Sequence, residues 1–209
     1  MNLFGGSINY EHIDQPSNEI DEILDSLNDL VKMGKIRYIG LSNETPWGTM
    51  KFLHHSNISS TPRVQSIQNA YNLLNRTFEI GGSEIAHRED VGLLAYSPLA
   101  QGYLTGKYQN GKLPKGSRKE LFNRLQRYEG PYAEEAIEDY LTIAKKYSID
   151  PSQLANQFVT TRPFVTSNII GATSMEQLKL AVTSIEVDLT EEIENEIEKA
   201  FQKHGNVAS

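Results

Sequence analysis

The chain has 209 residues, a formal net charge of −7 and no cysteine, and each figure removes a class of function. Without thiols there is no disulfide framework, thiolate metal site or cysteine nucleophile, and the dispersed acidic excess disfavours a grip on nucleic-acid phosphates. No run approaches the apolar length of a membrane span, and Met1-Asn2-Leu3-Phe4-Gly5-Gly6 lacks the basic start and apolar core of a signal peptide, so a cytoplasmic protein with no membrane partner is expected.

Ile20, Ile23, Leu24, Leu27, Leu30 and Val31 recur at helical steps and predict a first helix with one apolar face, ending near Gly34. Lys35 leads into a strand, Ile36 to Leu41, closed by Ser42-Asn43. Thr45 and Pro46 then supply the N-cap and first-turn proline of a second helix. The same grammar returns at Val64 to Asn69 with a helix near Phe78 to Arg88, and at Gly92 to Ser97. It returns again at Asn168 to Ala172, followed by a helix over Ser174 to Ser184. Between the third and fourth strands lie a Gly/Pro/Lys-rich loop, Gly102 to Ser117, expected as a mobile lid, and helices near Pro131 to Tyr147 and Pro151 to Arg162. Strands alternating with helices over short connections predict a parallel α/β fold; periodicity leaves barrel and doubly wound sheet open.

Four motifs narrow the choice. Gly34 to Asn43, Gln68-Asn69-Ala70-Tyr71-Asn72, Tyr96-Ser97-Pro98-Leu99 with Gly106-Lys107-Tyr108, and Gly171-Ala172-Thr173-Ser174 stand in the order and spacing of the aldo-keto reductases. The chain resembles a subgroup of that family related to the potassium-channel β subunits. The resemblance covers nearly the whole chain but only the C-terminal half to two-thirds of an eight-unit TIM barrel. It implies an α/β fold, an incomplete (β/α)8 barrel of about four parallel strands, forming one NADP-dependent oxidoreductase domain over residues 1–209 whose N-terminal barrel part is missing.

The resemblance further implies NADP(H) as cofactor and a small carbonyl substrate, with a tyrosine as proton donor. Carried over by position, Ser42 and Asn43 hold the nicotinamide carboxamide, Gln68 assists there and Tyr96 stacks on the nicotinamide ring. Ser97, Leu99 and the loop through Gly102 line the pyrophosphate, Lys107 is its cationic partner and Arg118 reaches the adenosine phosphate. Gly171, Thr173 and Gln177 flank the adenosine end. The family's catalytic aspartate, tyrosine, lysine and histidine belong to strands expected before Met1, so no catalytic residue is assigned within the chain. Three functional readings follow: the C-terminal portion of a reductase, a non-catalytic nucleotide-binding or regulatory module, or a truncated reading frame without activity of its own.

Each motif alone has a plainer reading. Ser42-Asn43 suits a turn, and Thr173 with Glu176 suits a capping box. His12, His54, His55, His87 and His204 show no metal-ligand spacing, and no metal is expected. An open sheet has two unpaired edges and an inward face expected to carry Ile39, Ile67, Leu94 and Ile169 or their neighbours, which suggests a homodimer closing through those edges.

Overall fold

A computed structural model describes residues 19–122 and 126–208. In chain order these form α1 (Glu19–Lys32), β1 (Ile39–Ser42), α2 (Pro46–Ser59), β2 (Val64–Ala70), α3 (Gly82–Glu89) and β3 (Gly92–Tyr96). There follow α4 (Arg118–Phe122), α5 (Ala133–Lys146), α6 (Pro151–Thr160), β4 (Val165–Ile169), α7 (Met175–Thr183) and α8 (Glu191–His204). The four strands are parallel and lie in one sheet in the order β1-β2-β3-β4. That is the expected α/β architecture with surrounding helices, four strands of the TIM-barrel class.

Local chemistry explains most boundaries. α1 ends where Gly34 turns left-handed at φ 69°, so that its amide and that of Lys35 reach back to the carbonyls of Val31 and Leu30. Thr45 caps α2 by accepting the Gly48 amide at 3.0 Å, with Pro46 in the first turn. Asp150 caps α6 by accepting the Ser152 amide at 2.8 Å.

Three expected boundaries are corrected. β1 starts at Ile39 rather than Ile36, because its pairing begins with Ile39 against Val64 and then shifts register before Gly40 meets Ser66. The helix expected from Phe78 is a 3-10 turn, Thr77–Glu79, separated from α3 by Gly81 at φ 85°. β4 spans Val165–Ile169 instead of residues 168–172. Asn168 donates its side-chain amide to the Asn156 carbonyl of α6 at 3.1 Å, which fastens this polar strand to the helix before it.

The described residues fall into two compact units. One runs to Asn69 and resumes over Glu79–Leu94; the other comprises Ala70–Phe78 and the chain from Ala95. In the first, Leu24, Ile39, Phe52, Leu53, Val64, Ile67, Ala86, Val91 and Leu93 are buried. Gly40 lets the two strands pack closely, since a Cβ there would lie 2.6 Å from the Ser66 hydroxyl and 3.1 Å from the Ser66 carbonyl oxygen. In the second, Tyr71 stacks on Phe158 at 5.8 Å and meets Phe164 edge-on at 5.2 Å. The Arg76 guanidinium covers the Phe201 ring at 4.0 Å and pairs with Glu198 at 2.9 Å, tying α8 to the chain after β2.

The exposed apolar inward face expected of the sheet is corrected in composition. Ile39 and Ile67 are buried, whereas the alternate positions Gly40, Ser42, Ser66 and Gln68 are exposed or half-buried and polar or small. Side chains alternate across a strand, and the apolar set of β1 and β2 belongs to the covered face. Ile169 is exposed as expected. Beyond it, Met175, Leu178, Val182 and Ile185 form an exposed apolar stripe along α7 and the turn that follows. Among the described residues no helix is long and apolar enough to cross a membrane.

Candidate functional site

The expected site residues gather in three groups, at the ends of β1 and β2, after β3, and before α7. In the first unit, register pairs Ser42 with Gln68. Asn43 is left-handed at φ 56°, a conformation its short polar side chain tolerates. Its backbone amide donates to the Gln68 carbonyl at 2.8 Å, and its side-chain amide donates to the Ser42 hydroxyl at 3.1 Å. Ser42, Asn43 and Gln68 are therefore one cluster. Beside it, Asn69 donates to the Glu44 carbonyl at 3.2 Å, while the Asn69 Oδ1 is buried without a hydrogen-bond partner. A buried amide oxygen left so is the kind of acceptor that a water or ligand donor satisfies.

In the second unit, β3 ends at Tyr96, half-buried, whose carbonyl accepts the Tyr71 amide at 3.3 Å. The chain then leaves ordinary backbone space. Ser97 is left-handed at φ 59°, and Ala100, Gln101 and Gly102 follow at φ 47°, 57° and 100°. Only one of these residues is glycine, so the surroundings must hold the turn at a cost of about 1–3 kcal/mol per strained residue. The Leu99 carbonyl accepts the Gly102 amide at 2.8 Å, and the Gly102 carbonyl accepts the Thr105 hydroxyl at 2.8 Å.

Lys107 lies back over this turn. A Cβ on Gly102 would stand 2.7 Å from the lysine Cε and 2.8 Å from Nζ, and Nζ sits 5.1 Å from the Tyr108 ring centre. Ser97, Leu99, Gly102 and Lys107 are thus brought together, with a cation held over a loop of left-handed backbone.

The segment expected as a lid begins as packed structure. It opens in a 3-10 turn, Ala100–Thr105, with a second at Gln109–Gly111; Tyr103, Tyr108, Gln109 and Ser117 are buried. Tyr103 donates to Glu129 at 2.5 Å, and Lys119 pairs with the same carboxylate oxygen at 2.5 Å. Burial, then the Glu129 carboxylate, pushes the Tyr103 phenol well above the usual tyrosine range. The Lys119 ammonium, then the Tyr103 hydroxyl, holds Glu129 below the usual carboxylate range. Arg118 opens α4 with its side chain exposed.

The third group has local work. Gly171, Thr173 and Gln177 are all exposed. The Gln177 side-chain oxygen accepts the Thr173 amide at 2.9 Å and the Thr173 hydroxyl at 3.1 Å. Ser174 in turn accepts the Gln177 amide at 3.2 Å. The expected pairing of Thr173 with Glu176 is corrected: Ser174 is the cap, and the Gln177 side chain reaches past it to Thr173.

Sequence reasoning missed Asn72. It is fully buried, and its side chain spans the loop after β2 and the loop after β3. The amide oxygen accepts the backbone amides of Leu74 at 3.0 Å and Asn75 at 3.1 Å. The amide nitrogen donates to the Ser97 carbonyl at 2.9 Å and to the Tyr128 hydroxyl at 3.2 Å. The available signal was the Asn-x-x-Asn spacing of Asn72 and Asn75, a side-chain-built turn. Burial pushes the Tyr128 phenol up, which keeps it protonated as a partner. Among the described residues no cluster of metal-ligating side chains occurs.

The family model described as Aldo/keto reductase family matches residues 7–202. The chain is 45 % identical over 198 residues to "Protein tas" of Escherichia coli (strain K12), covering 94 % of this chain and 57 % of that protein. It is 38 % identical over 199 residues to an "Aldo-keto reductase" of Babesia bovis, covering 91 % and 70 %. It is 31 % identical over 199 residues to a "Putative voltage-gated potassium channel subunit beta" of Schizosaccharomyces pombe, covering 90 % and 57 %. The chain thus spans little more than half the length of Protein tas. With a match over nearly all its residues, and four parallel strands in the order the barrel requires, the chain belongs to the aldo/keto reductase family of oxidoreductases, in the group around Protein tas.

Proposed function

We propose that this chain carries the NADP(H)-binding portion of a reductase that moves hydride between nicotinamide and a small carbonyl or alcohol, acting in the cytoplasm. The observation that carries the reading is Lys107 folded over Gly102 within the left-handed loop after β3. An ammonium held against backbone that no side chain obstructs suits a phosphate. In this reading Ser97, Leu99, Gly102 and Lys107 receive the pyrophosphate, and Arg118 the phosphate on the adenosine. Ser42, Asn43 and Gln68 orient the carboxamide, whose hydrogen bonds fix the ring's rotation. Tyr96 supplies the aromatic face on which the ring stacks, and Gly171, Thr173 and Gln177 flank the adenosine. When bound, the nicotinamide supplies the hydride; the chain's own residues bind it and fix which face meets substrate. The described residues offer no assigned proton donor, and carbonyl reduction at neutral pH requires one, so this reading assigns the described residues to cofactor binding. The relative named as a channel β subunit favours a second reading, a nucleotide-binding module without catalysis.

Titration of the purified chain with NADP(H) and NAD(H) at fixed salt tests the proposal. The expected outcome is at least tenfold tighter binding of NADP(H), reduced severalfold by Arg118→Ala. Equal affinity for the two dinucleotides, or an Arg118→Ala chain that still discriminates, overturns the phosphate assignment.

A further inference from the structure

We infer that Asn72 is the positioning residue of the phosphate loop, holding the Ser97 peptide in its left-handed setting; its consequence for affinity rests on the NADP(H) reading above. Ser97 is a non-glycine residue at φ 59°, a conformation that persists only when surrounding bonds over-determine it. Its carbonyl has two donors. The Ala100 amide reaches it at 2.9 Å from inside the loop, and the Asn72 side chain reaches it at 2.9 Å from outside. Only the second is independent of the loop's own conformation.

Asn72 can serve as an anchor because it is itself fixed. Its oxygen is engaged by the Leu74 and Asn75 amides, and backbone bonds of 3.0 Å in both directions close the Asn72–Asn75 turn. Full burial removes water as a competitor. The network also dictates which way the amide faces, since two backbone donors require the oxygen and the Ser97 carbonyl requires the nitrogen. The remaining proton of that nitrogen goes to the Tyr128 hydroxyl. Asn72 therefore ties three chain segments together, and one of its bonds ends on the peptide from which the Ala100–Gln101–Gly102 turn starts.

Asn72→Asp retains the acceptor for Leu74 and Asn75 but, when ionised, cannot donate to Ser97. Burial and the facing carbonyl raise the pKa of this carboxyl, against the two backbone amides that lower it, and its protonated form donates again. Compared with the unsubstituted chain at each pH, the variant is expected to bind NADP(H) about tenfold more weakly at pH 9 and to approach parity at pH 5.5. Amide exchange of Ala100 and Gly102, measured without nucleotide, is expected to quicken severalfold at pH 9 only. Tyr128→Phe, which removes the other recipient and spares the Ser97 bond, is expected to stay within twofold for both readouts. Unchanged binding and exchange in Asn72→Asp overturn the inference, as does equal weakening in Tyr128→Phe. Weakened binding with unchanged exchange of Ala100 and Gly102 also overturns it, because that separates Asn72 from the setting of the Ser97 peptide. If the unsubstituted chain fails to bind NADP(H), the cofactor reading falls, and the exchange data still decide whether Asn72 holds Ser97.

Discussion

At Gly102 two requirements meet in one residue: φ 100° and a lysine methylene where a Cβ would be. Alanine is expected to cost about 1–3 kcal/mol in backbone strain and to displace the Lys107 ammonium. Gly102→Ala should therefore lower both the thermal midpoint and NADP(H) affinity, the latter by about tenfold. Lys107→Met should lower affinity while leaving the midpoint nearly unchanged. Calorimetry with and without nucleotide separates the two; an alanine variant that binds normally would remove the lysine's role. Much at this scale was legible. Ser42, Asn43 and Gln68 meet as expected, because strand-end residues in register are neighbours. Asn72 was not, since its partners Ser97 and Tyr128 are distant in sequence and only packing brings them near. Gln177, expected at the adenosine, also has a local bond that its motif did not announce: its side-chain oxygen accepts the amide of Thr173, the residue before the Ser174 cap.

Between elements, ion pairs fasten α8 to its neighbours, and one pair has a definite pH signature. Asp139 of α5 accepts Lys203 and His204 of α8, each at 2.7 Å. The lysine first, then the histidine, holds this carboxyl below the usual aspartate range. A carboxyl depressed on folding contributes stability that is present above the unfolded aspartate pKa, about 3.9, and lost as pH falls through the lower folded value. The group is partly exposed, so the contribution is held to under about 1 kcal/mol. Asp139→Asn is expected to unfold at lower denaturant than the unsubstituted chain at pH 7, with the gap closing below about pH 3.5. A gap independent of pH would assign the effect to packing. Helices were the most legible elements, because α5 and α6 carry strong apolar periodicity, and Pro151 and its Asp150 cap announce the start of α6. β4 was placed three residues late because Thr166 and Ser167 look like a turn. An exposed strand tolerates polar residues that a buried one excludes, and periodicity has no access to that context.

Among the described residues β1 and β4 are the outer strands of the sheet, and the α7 stripe adds apolar surface beside β4. An unpaired strand edge with apolar side chains next to it is a template for another chain. A second copy meets it most simply through a two-fold axis, which presents the same edge and stripe from both sides. Sedimentation of the purified chain is expected to give a dimer or larger species at micromolar concentration, shifted toward monomer by Leu178→Glu with Val182→Glu. A compact monomer that the double substitution leaves unchanged would refute this. The parallel α/β class was legible from the alternation of elements, whereas the division into two compact units left no mark in composition, because the boundaries run through β2 and β3 themselves.

The order β1-β2-β3-β4 repeats the order of the sequence. Every strand therefore docks beside the one synthesised just before it, and no strand waits for a later one to be inserted between it and its neighbour. Such a sheet grows at one edge, so the loop-closure entropy of each addition is that of a single strand–helix–strand connection. Translation delivers the pieces in the same direction. A nascent chain can then lay down the Ser42–Gln68 pairing while α7 is still inside the ribosome, since β1 and β2 both precede the loop that bends around Gly102.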